Sequence, residues 1–199
     1  MKIVVLDGYT ENPGDLSWDD LKALGDLTVY DRTAADQIVN RIGDAEAVYT
    51  NKTPISAETL AACPNLKFIG VLATGYNIVD VSSAKEHGVV VSNIPTYGTD
   101  AVGQFAIAML LEICHHIGHH DQAVHQGRWE NNQDWCFWDY PLIELAGKKS
   151  WESSVSGGSA GLRRIAKALG MILAYDAYRP DDRLLEGYQF TALDNLLSQ

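Results

Sequence analysis

At 199 residues the chain has room for one large domain or two small ones, since single domains usually hold about 100–200 residues; its 46% hydrophobic and 21% charged residues exclude a disordered chain. Fifteen Lys and Arg face 26 Asp and Glu, a formal charge of −11 with no basic stripe, which excludes nucleic acid and anionic membrane as natural partners. The opening run from Met1 to Asp7 is too short, and too soon polar, for a signal peptide or a membrane span, so a cytoplasmic location is expected. Cys63, Cys114 and Cys136 are odd in number and widely spaced, which points to reduced structural thiols rather than a disulfide framework or a metal pair.

Residues 2–7 form an apolar run that ends in an acid and is followed by Gly8, the pattern of a buried parallel strand. Similar runs recur at Leu27–Tyr30, Ala47–Thr50, Phe68–Leu72 and Val89–Ser92, with helical apolar spacing between them over Thr33–Ile42 and Ser56–Ala62. Strand alternating with helix at intervals of roughly 20 residues predicts an open parallel α/β sheet. Ligands bind such sheets where loops leave the carboxyl ends of strands. The segments there are Asn51-Lys52-Thr53-Pro54, Ala73–Asn77 and Asn93–Thr99, each combining turn formers with polar side chains. Gly75 permits backbone N–H groups to approach an anion closely. Taken singly, each segment reads equally well as an ordinary surface turn.

From Thr99 the spacing predicts one long helix, capped by Thr99 or Asp100, with Val102, Phe105, Ala106, Met109, Leu110, Ile113 and Ile117 on one stripe. A helix this apolar is expected between lobes or against a second subunit, so a homodimer is expected. His116 and His120 have the i, i+4 spacing of a metal pair, but no HExxH or acid in register accompanies them, and histidines suit a helix C-terminus; no metal site is expected. The aromatic run of residues 135–140 reads as packing, not as a base-stacking platform. An amphipathic helix, Arg163–Gly170, then leads into Met171–Asp176. A strand ending in an acid one helix after a glycine-rich stretch is where a dinucleotide-binding unit places the carboxylate for the ribose hydroxyls, and Asp176 fits that role.

Across nearly the whole chain these segments resemble the D-isomer-specific 2-hydroxyacid dehydrogenases, and within them the glycerate dehydrogenase (hydroxypyruvate reductase) group. The likeness is carried by Thr50-Asn-Lys-Thr-Pro54, Leu72-Ala-Thr-Gly-Tyr-Asn-Ile-Val-Asp80, Val91-Ser-Asn-Ile-Pro-Thr-Tyr-Gly-Thr99, Gly127-Arg-Trp129, Phe137-Trp-Asp-Tyr-Pro141, Glu144-Leu-Ala-Gly-Lys148 and Leu173-Ala-Tyr-Asp-Ala-Tyr-Arg-Pro180. The resemblance implies a flavodoxin-like substrate domain, residues 1–98, and the first part of a Rossmann-like domain, residues 99–199. It implies hydride transfer between NAD and a small 2-hydroxy or 2-keto acid. Gly75 and Tyr76 would offer amides to the substrate carboxylate, Asn51 and Lys52 would face the substrate, and Thr74, Thr99, Gly157, Gly158 and Asp176 would serve the cofactor, Asp176 selecting NAD over NADP.

Two departures accompany the likeness. Where the family reads Gly-x-Gly-x-x-Gly, counting on from Lys148 gives Ser154, Ser156 and Ser159, and Gly157, Gly158 and Gly161 form no such motif in any register. Residues 151–156 are also too polar for a central parallel strand. Serines under a pyrophosphate would weaken cofactor binding severely. Back-translating Trp151–Leu162 from the third base of the Trp codon permits Gly, Ile or Val, an apolar residue, then Gly-Phe-Gly-Arg-Ile-Gly-Arg-Ala, so residues 149–164 read as a shifted frame between compensating insertions or deletions. The alternative is a divergent serine- and glycine-rich loop, and peptide mass mapping of that segment decides between the two readings. The second departure is length: family members run well past residue 199, and the catalytic Arg and the His–Glu acid–base pair fall in that later part. The chain alone is therefore expected to be inactive, and the alternative reading is a non-catalytic binding or dimerisation remnant.

Overall fold

Ile3, Val4, Val5 and Leu6 are all buried, a continuous apolar run suited to a strand covered on both faces. They belong to β1 (Lys2–Val5) and its exit. In the computed structural model, which describes residues 1–152, 160–175 and 189–190, the chain divides into two compact units, Met1–Tyr97 and Gly98–Gln199.

The first unit is an α/β sheet of five parallel strands. β2 (Asp26–Val29), β3 (Ala47–Thr50), β4 (Phe68–Val71) and β5 (Val90–Ser92) join β1 in the order β2-β1-β3-β4-β5. Val4 lies opposite both Thr28 and Val48, and Ile69 opposite both Val48 and Val91. The edge strands betray their position: β2 alternates exposed and half-buried residues, whereas β3 is almost wholly buried. The crossovers carry α1 (Asp19–Lys22), α2 (Ile38–Ile42), α3 (Ala57–Ala62) and α4 (Val81–Glu86). Ser56 caps α3 by accepting from the Thr59 amide at 3.3 Å, and Asp80 caps α4 by accepting from Ser83 at 2.9 Å. Thr33–Ile42, expected as a single helix, is a short 3-10 turn at Ala35–Gln37 followed by α2. Leu6, Ile38, Ile42, Val48, Ile55, Leu60, Ile69 and Val71 form the core, each worth about 1.5–3 kcal/mol of burial.

Because β2 lies on one side of β1 and β3 on the other, the winding reverses between β1 and β3. A crevice at the carboxyl ends of those two strands follows from that topology. It is where Asp7, Asn51 and Lys52 sit.

The second unit opens with α5 (Thr99–His115) and α6 (Ile117–His125), which meet at a 62° bend. The expected uninterrupted helix is broken because His116 adopts a left-handed conformation, φ 50°, that an α-helix cannot carry through. Gly98, not Thr99 or Asp100, occupies the cap position, with no side-chain cap bond. No single helix is long and apolar enough to cross a membrane; among the described residues only the bent pair α5 and α6 approaches that length and composition. Three parallel strands follow in the order β6-β7-β8: β6 (Lys149–Glu152), β7 (Ile172–Tyr175) and β8 (Gln189–Phe190), with α7 (Ala160–Ala168) crossing between the first two. A strand, β6, thus begins in the segment read as too polar for a central parallel strand. Lys149–Glu152 pairs in register with Ile172–Tyr175, and among the described strands β6 has one neighbour, an edge position that tolerates polar residues. Ile107, Cys114, Leu145, Ala166 and Met171 form this unit's own core.

Candidate substrate-binding site

The acid that ends the first apolar run is buried, 9% exposed, and its partners lie on the loop after β3. Asp7 Oδ1 accepts from the Asn51 amide at 2.8 Å; Oδ2 accepts from the amides of Lys52 at 2.6 Å and Thr53 at 2.8 Å, and from the Thr53 hydroxyl at 3.0 Å. Charge-assisted bonds of this kind offset the cost of burying a carboxylate. The Thr50 hydroxyl closes the loop by donating to the Thr53 carbonyl at 2.8 Å. Asn51 Nδ2 donates to Glu11 Oε1. Lys52 itself is exposed and makes no ion pair among the described residues. With Thr10, Arg32, Thr33 and Thr53 it lines a cavity of about 400 Å³.

The neighbouring loops are stitched to this one. Ile55 bridges to Val79, its amide donating to the Ile78 carbonyl at 2.9 Å, which ties the exit of β3 to the exit of β4. The Thr74 hydroxyl donates to the Ile94 carbonyl at 2.9 Å and Asn93 Nδ2 to the Thr74 carbonyl at 2.8 Å, tying β4's exit to β5's. The structure therefore brings Asn51, Lys52, Thr74, Gly75 and Tyr76 onto adjacent loops at one end of the sheet. Tyr76, Val81, Val91, Ser92 and Asn93 line a second cavity of about 240 Å³. Gly75 is exposed and has no left-handed φ; a Cβ there would meet only Asn77 Oδ1, at 3.4 Å. The fold does not demand glycine at this position, so its bare face is free for a ligand. Thr74's proton is committed to Ile94, which leaves its oxygen as an acceptor. Asp7 and Glu11 are functional candidates that the sequence reading gave no role, Asp7 being noted there only as the acid that ends the first apolar run; Asn93 opens the segment Asn93–Thr99 singled out there, without a role of its own.

In the second unit Thr99 is the first residue of α5 and half-buried. Gly157, Gly158 and Asp176 lie outside the described residues, as do residues 153–159 of the segment read as a shifted frame. The histidines are engaged locally: His120 Nδ1 lies 2.9 Å from the His116 carbonyl, and His119 Nε2 lies 2.7 Å from Asp139. The His119 hydrogen bond holds the Asp139 carboxyl below the usual aspartate range against the opposing push of desolvation, with the Arg128 guanidinium at 2.6 Å adding to the lowering. A carboxyl shifted down stabilises the fold above its ordinary pKa and ceases to do so as pH falls through the lowered one. Carbon-detected titration of Asp139 should therefore give a midpoint below that of an exposed aspartate, and His119→Ala should move it back up. Of the aromatic run, Phe137 packs on His120, Trp129 and Arg128, and Tyr140 on His116 and His119. Trp135 and Trp138 are 87% and 71% exposed, so the packing expected of the run does not extend to them.

The first unit is a doubly wound parallel sheet with polar loops gathered at its switch point, where such sheets bind ligands, and the second unit starts a parallel β-α-β sheet of its own. The chain belongs to the D-isomer specific 2-hydroxyacid dehydrogenases: the family's catalytic-domain profile matches residues 4–197. Hydroxypyruvate reductase of Blautia hydrogenotrophica is 60% identical over 203 residues, covering all of this chain and 63% of that protein. Glycerate dehydrogenase of Methylorubrum extorquens is 32% identical over 165 residues, covering 82% of this chain and half of its own length, 50%. The fold matches an acyclic imino acid reductase solved with NADPH and D-Arg, with a TM-score of 0.78, 24% identity and coverage of 98% of this chain and 62% of that one. The chain thus spans less than two thirds of the relatives it matches. The family is dinucleotide-dependent, and its members named here are oxidoreductases.

Proposed function

We propose that these residues belong to a cytoplasmic, NAD-dependent oxidoreductase that interconverts a small D-2-hydroxy acid and its 2-keto acid, of the glycerate/hydroxypyruvate or glyoxylate type. The 60% identity to a hydroxypyruvate reductase along the whole chain carries this reading. The unpaired Lys52 ammonium beside the switch point supports it, because a keto acid is an anion. Gly75 and Tyr76 present backbone amides to the substrate carboxylate, while Asn51 and Lys52 face the rest of the molecule. Parallel β6 and β7 with α7 between them form the kind of β-α-β unit that binds dinucleotides, which supports the cofactor reading. Thr74, Thr99, Gly157 and Gly158 would serve the cofactor, and Asp176 would accept hydrogen bonds from its adenosine ribose. The bound nicotinamide supplies or accepts the hydride. The protein encoded by the uninterrupted gene should consume NADH absorbance with hydroxypyruvate, and no turnover by that protein would sink the reading.

The second unit favours a homodimer. Val102, Phe105, Met109, Ile113 and Ile117 are 50% or more exposed along the stripe expected to be covered. Apolar patches beyond a few hundred Å² are rare on monomers. Light scattering should give twice the chain mass, and Phe105→Glu with Met109→Glu should halve it at micromolar protein; an unchanged mass would exclude this face as the interface.

A further inference from the structure

We propose that Asp7 and Glu11, two carboxylates following β1, preset the loop after β3 so that its free groups select keto acids bearing a hydroxyl on C3. The inference rests on the reading that Asn51 and Lys52 face the substrate. Three consecutive amides, those of Asn51, Lys52 and Thr53, converge on the Asp7 carboxylate. Such a nest ordinarily binds an external anion. Here the protein's own acid fills it, which fixes the backbone at the switch point and at the same time saturates the acid. Both Asp7 oxygens are taken by N–H and O–H donors, so the acid holds Lys52 by its backbone amide and leaves the ammonium for an external anion.

Glu11 fixes the neighbouring side chain in a complementary way. An ionised carboxylate only accepts, so the group that Asn51 turns towards Glu11 must be its NH2. Asn51 Oδ1 then faces away, and among the described residues no donor reaches it. The loop therefore offers one cation and one hydrogen-bond acceptor. The cation suits the charge of any keto acid. The acceptor rewards a substrate hydroxyl and gives nothing to a methyl group in its place.

The test is amide-resolved NMR of the 199-residue chain and of Asp7→Asn and Glu11→Gln, titrated with hydroxypyruvate and with pyruvate, which lacks the C3 hydroxyl. In the parent chain both ligands should shift the Asn51 and Lys52 signals, hydroxypyruvate binding about 3–10-fold tighter, the worth of one neutral hydrogen bond. Asp7→Asn should speed hydrogen exchange at Asn51, Lys52 and Thr53 about tenfold or more while the amides of β3 and β4 keep their protection. Glu11→Gln can present either an oxygen or a nitrogen to Asn51, so the asparagine is free to turn and the preference for hydroxypyruvate should collapse towards unity. Unchanged exchange in Asp7→Asn, or an unchanged preference in Glu11→Gln, overturns the proposal. If neither ligand shifts residues 51 and 52 in the parent chain, the reading of this loop as substrate-facing fails, and the selectivity proposed here falls with it. Glu11 lies at the surface edge of the unit, so its variant keeps the question answerable even where Asp7→Asn fails to fold.

Discussion

Replacing Gly103 by alanine is expected to destabilise the second unit by about 2–3 kcal/mol, although alanine is intrinsically the better helix former by about 1 kcal/mol. The reason lies at the crossing of α5 and α7. A Cβ on Gly103 would stand 2.4 Å from the Leu162 amide nitrogen and 2.6 Å from the Gly161 carbonyl carbon. The clash is reciprocal, since a Cβ on Gly161 would stand 2.6 Å from the Thr99 carbonyl oxygen. All of these neighbours are backbone, so no side-chain rotation relieves the contact; the helices must separate, and Ile107 and Ala166 lose packing with them. Four of the five tryptophans, Trp129, Trp135, Trp138 and Trp151, lie in this unit, so tryptophan fluorescence follows its unfolding. Denaturation by urea should show a lower midpoint for Gly103→Ala and a still lower one for Gly103→Val. A gain in stability on Gly103→Ala would mean that helix propensity outweighs the crossing.

The parallel sheet was legible because its strands are short apolar runs bounded by polar turns. Ala47–Thr50 falls where the run falls, and the other runs lie within one or two residues of β1, β2, β4, β5 and β7. What escaped is of two kinds. Asp19–Lys22 and Val81–Glu86 are helices too short to show a full apolar period, and they are held by tertiary packing and by the Asp80 cap rather than by propensity. The stripe on α5 was legible as a face expected to be covered, but periodicity shows only which residues share a face; its exposure, 68% at Phe105, is a tertiary property. His116 has no sequence signature for a helix break, since its left-handed backbone follows from the turn into α6.

The candidate site divides in the same way. Asn51, Lys52, Thr74, Gly75 and Tyr76 were visible as polar residues after apolar runs, because strand-end loops are contiguous in sequence. Asp7 and Glu11 were not, because what gives them meaning is a set of partners 40 to 46 positions away in the chain. A lone acid after a strand says nothing of the amides it will meet. Only the reversal of winding between β1 and β3 brings the ends of those strands together, and topology is a property of the whole sheet.

Truncating Ile69 to alanine should remove about 3–4 kcal/mol from the first unit, the upper part of the range for a fully buried branched side chain. Ile69 is 0% exposed, and its register places it between Val48 on β3 and Val91 on β5, with Val71 two residues on. Val48 and Val71 are anchored on β3 and β4, which are bonded on both sides, so the cavity left behind has little means of collapsing there. The same strand leads directly into Ala73 and Thr74, so a loosened β4 also releases the bonds that tie Thr74 to Ile94 and Asn93. Hydrogen exchange separates the two consequences. The amides of Val71 and Leu72 should lose protection in proportion to the drop in stability, whereas those of α5 and α7, which belong to a unit with its own core, should keep theirs. Equal loss of protection in both units would show that they unfold as a single cooperative body, and the separate cores would then be thermodynamically one.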